Sequence, residues 1–130
     1  MKQETCEQRI EEHQESRLDD LRQFQASGWD EAQLSDDDYA MPFNEYGLSW
    51  DYVESDTEDR PGYWRYQISC GGPAEELRFY CDQAGHVWTI EFVFLDWSDH
   101  AKRTLQGDDR KLGQEIWDYF NEVGMCEVES

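Results

Sequence analysis

Four residues near the end of the most apolar stretch are of the types used in nucleophilic catalysis. Asp96, Ser98, Asp99 and His100 lie within five consecutive positions. A serine that a histidine activates, with an acid orienting the histidine, can attack a carbonyl, but the members of a working triad rarely come from one tight loop. A turn braced by Asp96 and Asp99 is the simpler interpretation. We predict no catalytic residue and no enzyme, and keep a small hydrolase only as the least favoured alternative.

Metal and cofactor sites are not indicated either. The four cysteines show no CxxC spacing, and no histidine stands at the spacing of a zinc site, so we expect reduced thiols and no metal: Cys6, Cys70, Cys81 and Cys126. Cys70 and Cys81 are expected in the core. Carboxylate neighbours such as Glu75 and Glu76 arise by chance in a chain with 31 acids. We also find no glycine-rich phosphate loop and predict no cofactor.

Charge is the strongest signal in the sequence. The chain has 31 Asp and Glu against 11 Lys and Arg, a formal net charge of −20 on 130 residues. An acidic disordered tail would lack its 6 Trp, 7 Tyr and 6 Phe. Solubility alone needs a net charge of only about 2 to 8. A salt-adapted source remains an alternative. The negative electrostatic field of such a chain opposes contact with nucleic acid or an anionic membrane and favours a basic partner.

The periodicity predicts one α+β domain over 1–130. We expect a four-stranded antiparallel β-meander, with a long N-terminal helix and a C-terminal helix packed on one face. The helices are predicted over 3–26 and from Asp108 or Asp109 to Val123. The strands are predicted over 45–53, 63–70, 76–82 and 86–96, with a short helical turn at 29–34 and a polar connection at 96–109. Met41, Pro42 and Phe43 are expected to end helical structure.

Alternation predicts which side chains of the strands enter the core. Leu48, Trp50 and Tyr52 share one face of the first strand. The last strand is the most apolar, and its inner face is predicted to carry Trp88, Ile90, Phe92 and Phe94. Trp29 and Tyr39 could serve an interface, although packing is the commoner use of such residues.

The N-terminal helix is predicted to be amphipathic, with Cys6, Ile10, His13, Leu21 and Phe24 on its apolar stripe. The opposite side carries a column of acids: Glu4, Glu7, Glu11, Glu15 and Asp19. Carboxylates at such positions lie about 5 to 6 Å apart, while a nucleic-acid strand carries one charge per about 3.4 Å. A rigid acidic helix can therefore imitate a phosphate backbone, although a solvated helix face is the commoner use of such a column.

Two further acidic segments complete the predicted contact surface. The first follows the short turn near residue 30, and the second lies in the hairpin loop after the first strand. Their acids are Asp36, Asp37, Asp38, Glu54, Asp56, Glu58 and Asp59. The predicted partner is a basic nucleic-acid-binding protein or complex. We expect no direct nucleic-acid contact, no membrane, and a monomer or homodimer.

Small, strongly acidic, aromatic-rich domains of this kind resemble the anti-restriction and anti-CRISPR inhibitors of phages and plasmids, several of which are DNA mimics. The segments 71–80 (GGPAEELRFY) and 94–97 (FLDW) are similar to uncharacterised mobile-element proteins. The resemblance implies an inhibitor that blocks the nucleic-acid site of a bacterial defence complex, and it implies no catalytic residue. The alternative is an adaptor or immunity protein that neutralises a basic toxin.

The sequence shows neither a secretory signal at its N-terminus nor an apolar run of the roughly 20 residues that a membrane span needs. We therefore expect a location in the cytoplasm of a bacterial host cell.

Overall fold

A computed structural model describes residues 5–32, 41–54, 62–70, 74–82, 85–96 and 99–124, and within these ranges the chain is an α+β protein. The elements, in chain order, are α1 (Cys6–Ala26), β1 (Glu31–Ala32), β2 (Met41–Pro42), α2 (Phe43–Tyr46), β3 (Ser49–Val53), β4 (Tyr63–Ser69), β5 (Ala74–Cys81), β6 (Val87–Asp96), β7 (Asp99–Thr104) and α3 (Gly107–Glu122). The predicted fold class is confirmed.

The main sheet is an antiparallel meander of five strands in the order β3-β4-β5-β6-β7. Four strands were predicted, so the strand count is wrong by one. The missed strand, β7, was taken for part of a polar connection because only Ala101 of its six residues is buried. It pairs with β6 through Phe94↔Ala101 and Phe92↔Arg103, and it forms one edge of the sheet.

The region between α1 and β3 also differs from the prediction. A helical turn was expected at 29–34, but Glu31 and Ala32 form β1, which pairs with β2 in a two-stranded sheet. Trp29 has a positive φ of 65°, and its N–H donates to the Phe24 carbonyl, which ends α1 and turns the chain away. Phe43 begins α2, whereas helical structure was expected to end there.

Helix α1 begins with a capping box. The Thr5 side chain accepts from the Gln8 N–H, and the Gln8 side chain accepts from the Thr5 N–H. These two bonds satisfy donors that a helix N-terminus otherwise leaves free. The predicted apolar stripe is confirmed at Cys6, Ile10, Leu21 and Phe24, which are buried.

Both long helices cover the same face of the sheet, as predicted. The buried cluster joins Ile10, Leu21 and Phe24 of α1, and Leu112, Ile116 and Phe120 of α3, to the inward side chains of β4, β5 and β6. These inward side chains include Trp64, Tyr66, Leu77, Phe79, Ile90, Phe92 and Phe94. Rings dominate the core: Trp50 stacks on Phe120 at 4.1 Å between centroids. Buried aromatic area of this kind supplies most of the hydrophobic stabilisation of a small domain.

Four predicted core positions are wrong. Tyr52, on the edge strand β3, is 37% exposed. Leu48 precedes β3 and is 59% exposed, and Cys70 is exposed beyond the end of β4. Trp88 is 60% exposed because the register of β5 and β6 shifts between Tyr80 and Cys81, which leaves Trp88 without a partner in the ladder. A bulge turns a side chain out of the alternation that the sequence predicts. Cys81 is half-buried against the core.

An ion pair with a buried acid joins α1 to the sheet. Glu75 of β5 is only 3% exposed, and Arg17 of α1 donates to both of its oxygens, at 2.8 and 3.2 Å. Ser69 Oγ lies 3.3 Å and His13 Nδ1 lies 3.6 Å from the same carboxylate. Arg17 falls at a position that the helical period assigns to the apolar stripe of α1, and the buried carboxylate of Glu75 explains why a cation is found there.

Truncating the buried acid should destabilise the fold strongly. Glu75→Ala removes the carboxylate and leaves the Arg17 guanidinium with only its long contact to the Tyr46 hydroxyl, so we expect a loss of about 3 kcal/mol in the free energy of unfolding by urea titration. The double variant Arg17→Leu/Glu75→Leu removes both charges and should recover most of that loss. Glu15→Ala, on the exposed side of α1, is the control and should change stability by less than about 0.5 kcal/mol. A Glu75→Ala protein as stable as that control contradicts a structural role for the pair.

Candidate partner-binding groove

The structure describes five of the twelve acids predicted to contact a partner. Glu7, Glu11, Glu15 and Asp19 follow one another along the exposed side of α1, and Glu54 is exposed after the end of β3. The other seven predicted residues lie outside the described ranges: Glu4, Asp36, Asp37, Asp38, Asp56, Glu58 and Asp59.

The acidic side of α1 borders a groove of about 550 Å³. Helix α1 packs against β6, β7 and α3, so the groove runs between α1, the outer strand β7 and the start of α3. Its lining consists of Glu11, Gln14, Glu15, Leu18, Arg22, Arg103, Thr104 and Asp109. The acids were expected on the side of α1 opposite its apolar stripe, and the structure shows that they border a concave surface. Leu18, which also lines this groove, is buried.

Guanidinium groups neutralise both ends of this acid column. Arg103 of β7 binds Glu7 at 2.9 Å. Arg22, one turn beyond Asp19, binds that residue at 2.9 Å and also pairs with Asp109 of α3. All of these side chains are at least one-third exposed except Asp109, which is slightly below that fraction. Exposed pairs of this kind contribute only about 0 to 1 kcal/mol each, so an incoming cation can exchange with them at low cost.

The centre of the column is different. Within the described residues, Glu11 and Glu15 make no ion pair, and both side chains are exposed on the wall of the groove. One helical turn separates them, a rise of about 6 Å. The groove therefore presents two uncompensated carboxylates between two compensated ends.

Glu54 does not belong to this surface. It follows β3, which is one edge of the sheet, whereas α1 lies over β6 and β7 at the other edge. The structure thus brings four of the five described acids together and leaves Glu54 apart.

The groove contains residues that sequence reasoning missed, namely Arg22, Arg103 and Asp109. Two of them come from segments about 80 and more residues away along the chain, and no short-range pattern links these segments to α1. The i,i+3 spacing of Asp19 and Arg22 is the one local signal, and it predicts an ion pair on a helix.

The segment that held the candidate triad has a structural use. Asp96 pairs with Arg9 of α1. Asp99 Oδ2 accepts from the backbone N–H of Cys6 at 2.8 Å, and Oδ1 accepts from the His100 N–H at 2.9 Å. The two aspartates therefore attach the N-terminal turn of α1 to β6 and β7, and the His100 side chain is exposed. Ser98 lies outside the described ranges.

The contact between Asp99 and the start of α1 shifts the pKa values of two groups. The backbone N–H of Cys6 holds the pKa of Asp99 below its usual value. Burial, together with the charge of Asp99, raises the pKa of the Cys6 thiol. Because the thiolate is the reactive form of cysteine, Cys6 is a poor nucleophile in the folded state.

The described residues show no group of three or more His, Cys, Asp or Glu arranged to hold a metal ion. Among the described helices, none has the length and apolar character needed to cross a membrane.

The rate of thiol alkylation should differ between the cysteines according to how buried each one is. At pH 8, an alkylating reagent should modify the exposed Cys70 first and the half-buried Cys81 more slowly, while Cys6 should react only when the protein unfolds, because its thiol is buried and its pKa is raised. Peptide mass spectrometry after timed quenching reads each site separately, and the urea-unfolded chain is the control. Equal modification rates of Cys6 and Cys70 in the native protein contradict this structure.

Acid should loosen the start of α1. Asp99 has a lowered pKa in the folded state, so its contribution to stability is complete above its unfolded pKa, near 4, and is lost as the pH falls through the folded value. The protection of the amides in the first turn of α1, meaning the ratio of the intrinsic exchange rate to the observed rate at the same pH, should therefore decrease below about pH 4. In Asp99→Ala this protection should be low at pH 7 as well. Protection that is unchanged in Asp99→Ala contradicts the contact.

No protein-family model, no curated protein and no solved structure matches this chain.

Proposed function

We propose that this protein is a binding inhibitor that occupies the nucleic-acid site of a bacterial defence complex through its acidic surface. The observation that supports the proposal best is the uncompensated pair Glu11 and Glu15, which lies on a groove of a protein with a net charge of −20. A nucleic-acid site uses Lys and Arg to contact phosphate, and those side chains fit such a surface.

The large net negative charge favours association with a basic partner that is fast and sensitive to salt. A charge excess of this magnitude steers a basic protein toward the acidic surface and can raise the association rate by 10-fold to 10³-fold at low ionic strength. Salt screens such steering, because the Debye length is about 8 Å at physiological ionic strength. The proposed inhibitor should therefore bind quickly and lose affinity steeply as salt increases.

The acid column is a partial imitation of a nucleic-acid strand. Four acids at four-residue spacing give one charge per about 6 Å, against one per about 3.4 Å in a strand. Arg103 and Arg22 reduce the net charge further at both ends. We propose that a partner first contacts Glu11 and Glu15 and then displaces these two arginines, whose exposed pairs are weak.

The first test combines affinity capture from a bacterial lysate with charge variants. We expect the wild-type chain to retain a nucleic-acid-handling complex, and Glu11→Gln/Glu15→Gln to bind it at least tenfold more weakly at 150 mM salt, since each desolvated charge contact contributes about 1 kcal/mol or more. The control is Glu31→Gln/Asp118→Asn, which removes two exposed acids outside the groove for the same change in net charge. It should lower the affinity less than threefold.

A variant with the opposite effect sharpens the test. Arg103→Gln removes the guanidinium that neutralises Glu7, so it should raise the association rate about two- to fivefold at low salt.

Capture of a small basic toxin selects the adaptor or immunity role instead. Binding that neither Glu11→Gln/Glu15→Gln nor Arg103→Gln changes contradicts the use of this groove.

A further inference from the structure

The groove beside α1 lies along an open edge of the main sheet. Strand β7 is the last strand of that sheet and pairs with β6 on one side only. Arg103 and Thr104 of β7 line the groove together with Glu11 and Glu15 of α1. An edge strand presents backbone N–H and C=O groups that a further strand can bind. The groove therefore joins two recognition elements, a row of acids and a strand edge.

The hydrogen-bond pattern shows which groups of β7 face the open edge. The Leu105 N–H donates to the Ile90 carbonyl at 2.9 Å, and this pair continues the register of β6 and β7. Because bonding alternates along an antiparallel pair, every second residue counted back from Leu105 bonds to β6. The backbone groups of the residues between them point away from β6: His100, Lys102 and Thr104.

Side chains cover part of this edge. The Asp99 carboxylate accepts from the His100 N–H at 2.9 Å, and Arg103 donates to the Lys102 carbonyl at 3.0 Å. Both bonds agree with the pattern above, because they engage groups that the sheet does not use. The Lys102 N–H and both backbone groups of Thr104 bond to no described residue. Charged side chains commonly protect an edge strand from unwanted pairing, and β7 keeps a short open stretch at the groove.

Arg103 connects this strand edge to the acid column. The guanidinium that donates to the Lys102 carbonyl also binds Glu7 at 2.9 Å. The side chains of Arg103 and Glu7 are 41% and 64% exposed, so water screens the pair and it is weak. A partner cation that takes the place of Arg103 at Glu7 therefore also releases the Lys102 carbonyl. Charge exchange and access to the strand edge are coupled.

The spacing of the acids suits an extended segment. The start of α1 meets β7 at the pair of Glu7 and Arg103, and Arg22 in its last turns meets the start of α3. Helix α1 and the chain from β7 into α3 therefore run in the same direction. Acids of the column four residues apart are separated by a rise of about 6 Å. Alternate residues of a strand lie about 6.7 Å apart on one face, so a strand beside β7 can match successive acids.

We propose that the groove receives an extended basic segment of the partner, which pairs with β7 as a sixth strand of the sheet. The inference rests on the proposed function and names the form of the partner segment. Backbone groups of the segment bond to Lys102 and Thr104, and its alternate Lys or Arg side chains lie beside Glu11 and Glu15. A second copy of this chain does not fit, because its net charge of −20 opposes contact with this surface.

The test is an NMR titration of the full chain, at low salt, with an acetylated and amidated hexapeptide of alternating arginine and threonine. The peptide should shift the amides of Lys102 and Thr104 saturably. Solvent exchange of these two amides should slow about tenfold at a peptide concentration about ten times the dissociation constant, because the free protein falls to about a tenth.

Backbone methylation of the peptide separates strand pairing from charge attraction. One peptide carries N-methyl groups on its arginines and a second carries them on its threonines, so both keep the charge and each loses one alternate set of N–H donors. Only one set faces β7 in a paired strand. One methylated peptide should therefore bind at least about tenfold more weakly than the parent, and the other less than about threefold more weakly.

A variant of the strand edge gives a second measurement. Thr104→Pro removes an N–H that faces away from β6, a position at which edge strands accept proline. It should weaken binding of the parent peptide at least about fivefold, whereas Thr104→Val keeps the N–H and should change the affinity less than about twofold. Circular dichroism and the unfolding midpoint check that both variants fold. If Thr104→Pro does not fold, the methylated peptides decide the test on the wild-type chain.

Equal binding of the two methylated peptides, or binding that leaves the exchange of Lys102 and Thr104 unchanged, overturns the proposal, because attraction between charges alone produces either result. Peptides that all fail to bind overturn it as well. If strand pairing fails while the Glu11→Gln/Glu15→Gln effect on capture holds, the sixth strand is refuted and the proposed function stands. If the edge accepts the peptide while capture is insensitive to the groove variants, the proposed function fails and β7 remains an edge that accepts a strand.

Discussion

Electrostatic self-repulsion is the constraint on which the rest of this structure depends. A compact chain with 31 acids and 11 bases is stable only if apolar burial offsets the repulsion and the few cations are well placed. The aromatic cluster between the helices and the sheet meets the first requirement. The second is met by the arginines, several of which bind carboxylates that the fold has taken out of water.

The two adjacent acids of β5 show how the cations are used. Glu75 faces α1 and binds Arg17, while Glu76 faces the other side of the sheet and binds Arg78 at 2.7 Å. On that second face, Arg65 also binds Asp51, and Lys102 lies 3.8 Å from Glu91. Cations held in these pairs cannot compensate the exposed acids elsewhere. The surplus of negative charge therefore appears at the surface, and Glu11 and Glu15 are two examples within the described residues.

Sequence periodicity was sufficient to predict the elements in which buried and exposed residues recur at regular spacing. Spacing predicted the apolar stripe of α1, the existence of α3 and the inward side chains Ile90, Phe92 and Phe94 of β6. Strand β7 was missed because its core contact is the single residue Ala101, and Trp88 was misplaced because a bulge depends on the partner strand. The groove could be predicted only in part: α1 supplies its acids at helical spacing, whereas Arg103 and Asp109 reach it through tertiary packing. Arg17 interrupted the predicted apolar stripe, and its reason lies 58 residues away at Glu75.

The proposed function requires the acidic surface and a nucleic acid to compete for one site on the partner. The most direct measurement is the binding of labelled duplex DNA, or single-stranded RNA, to the captured complex while this protein is added in increasing amounts. The account predicts strict competition, in which the apparent dissociation constant for the nucleic acid rises in proportion to the inhibitor concentration and the effect fades as salt is added. A stable ternary complex, with nucleic-acid affinity unchanged at saturating inhibitor, contradicts it.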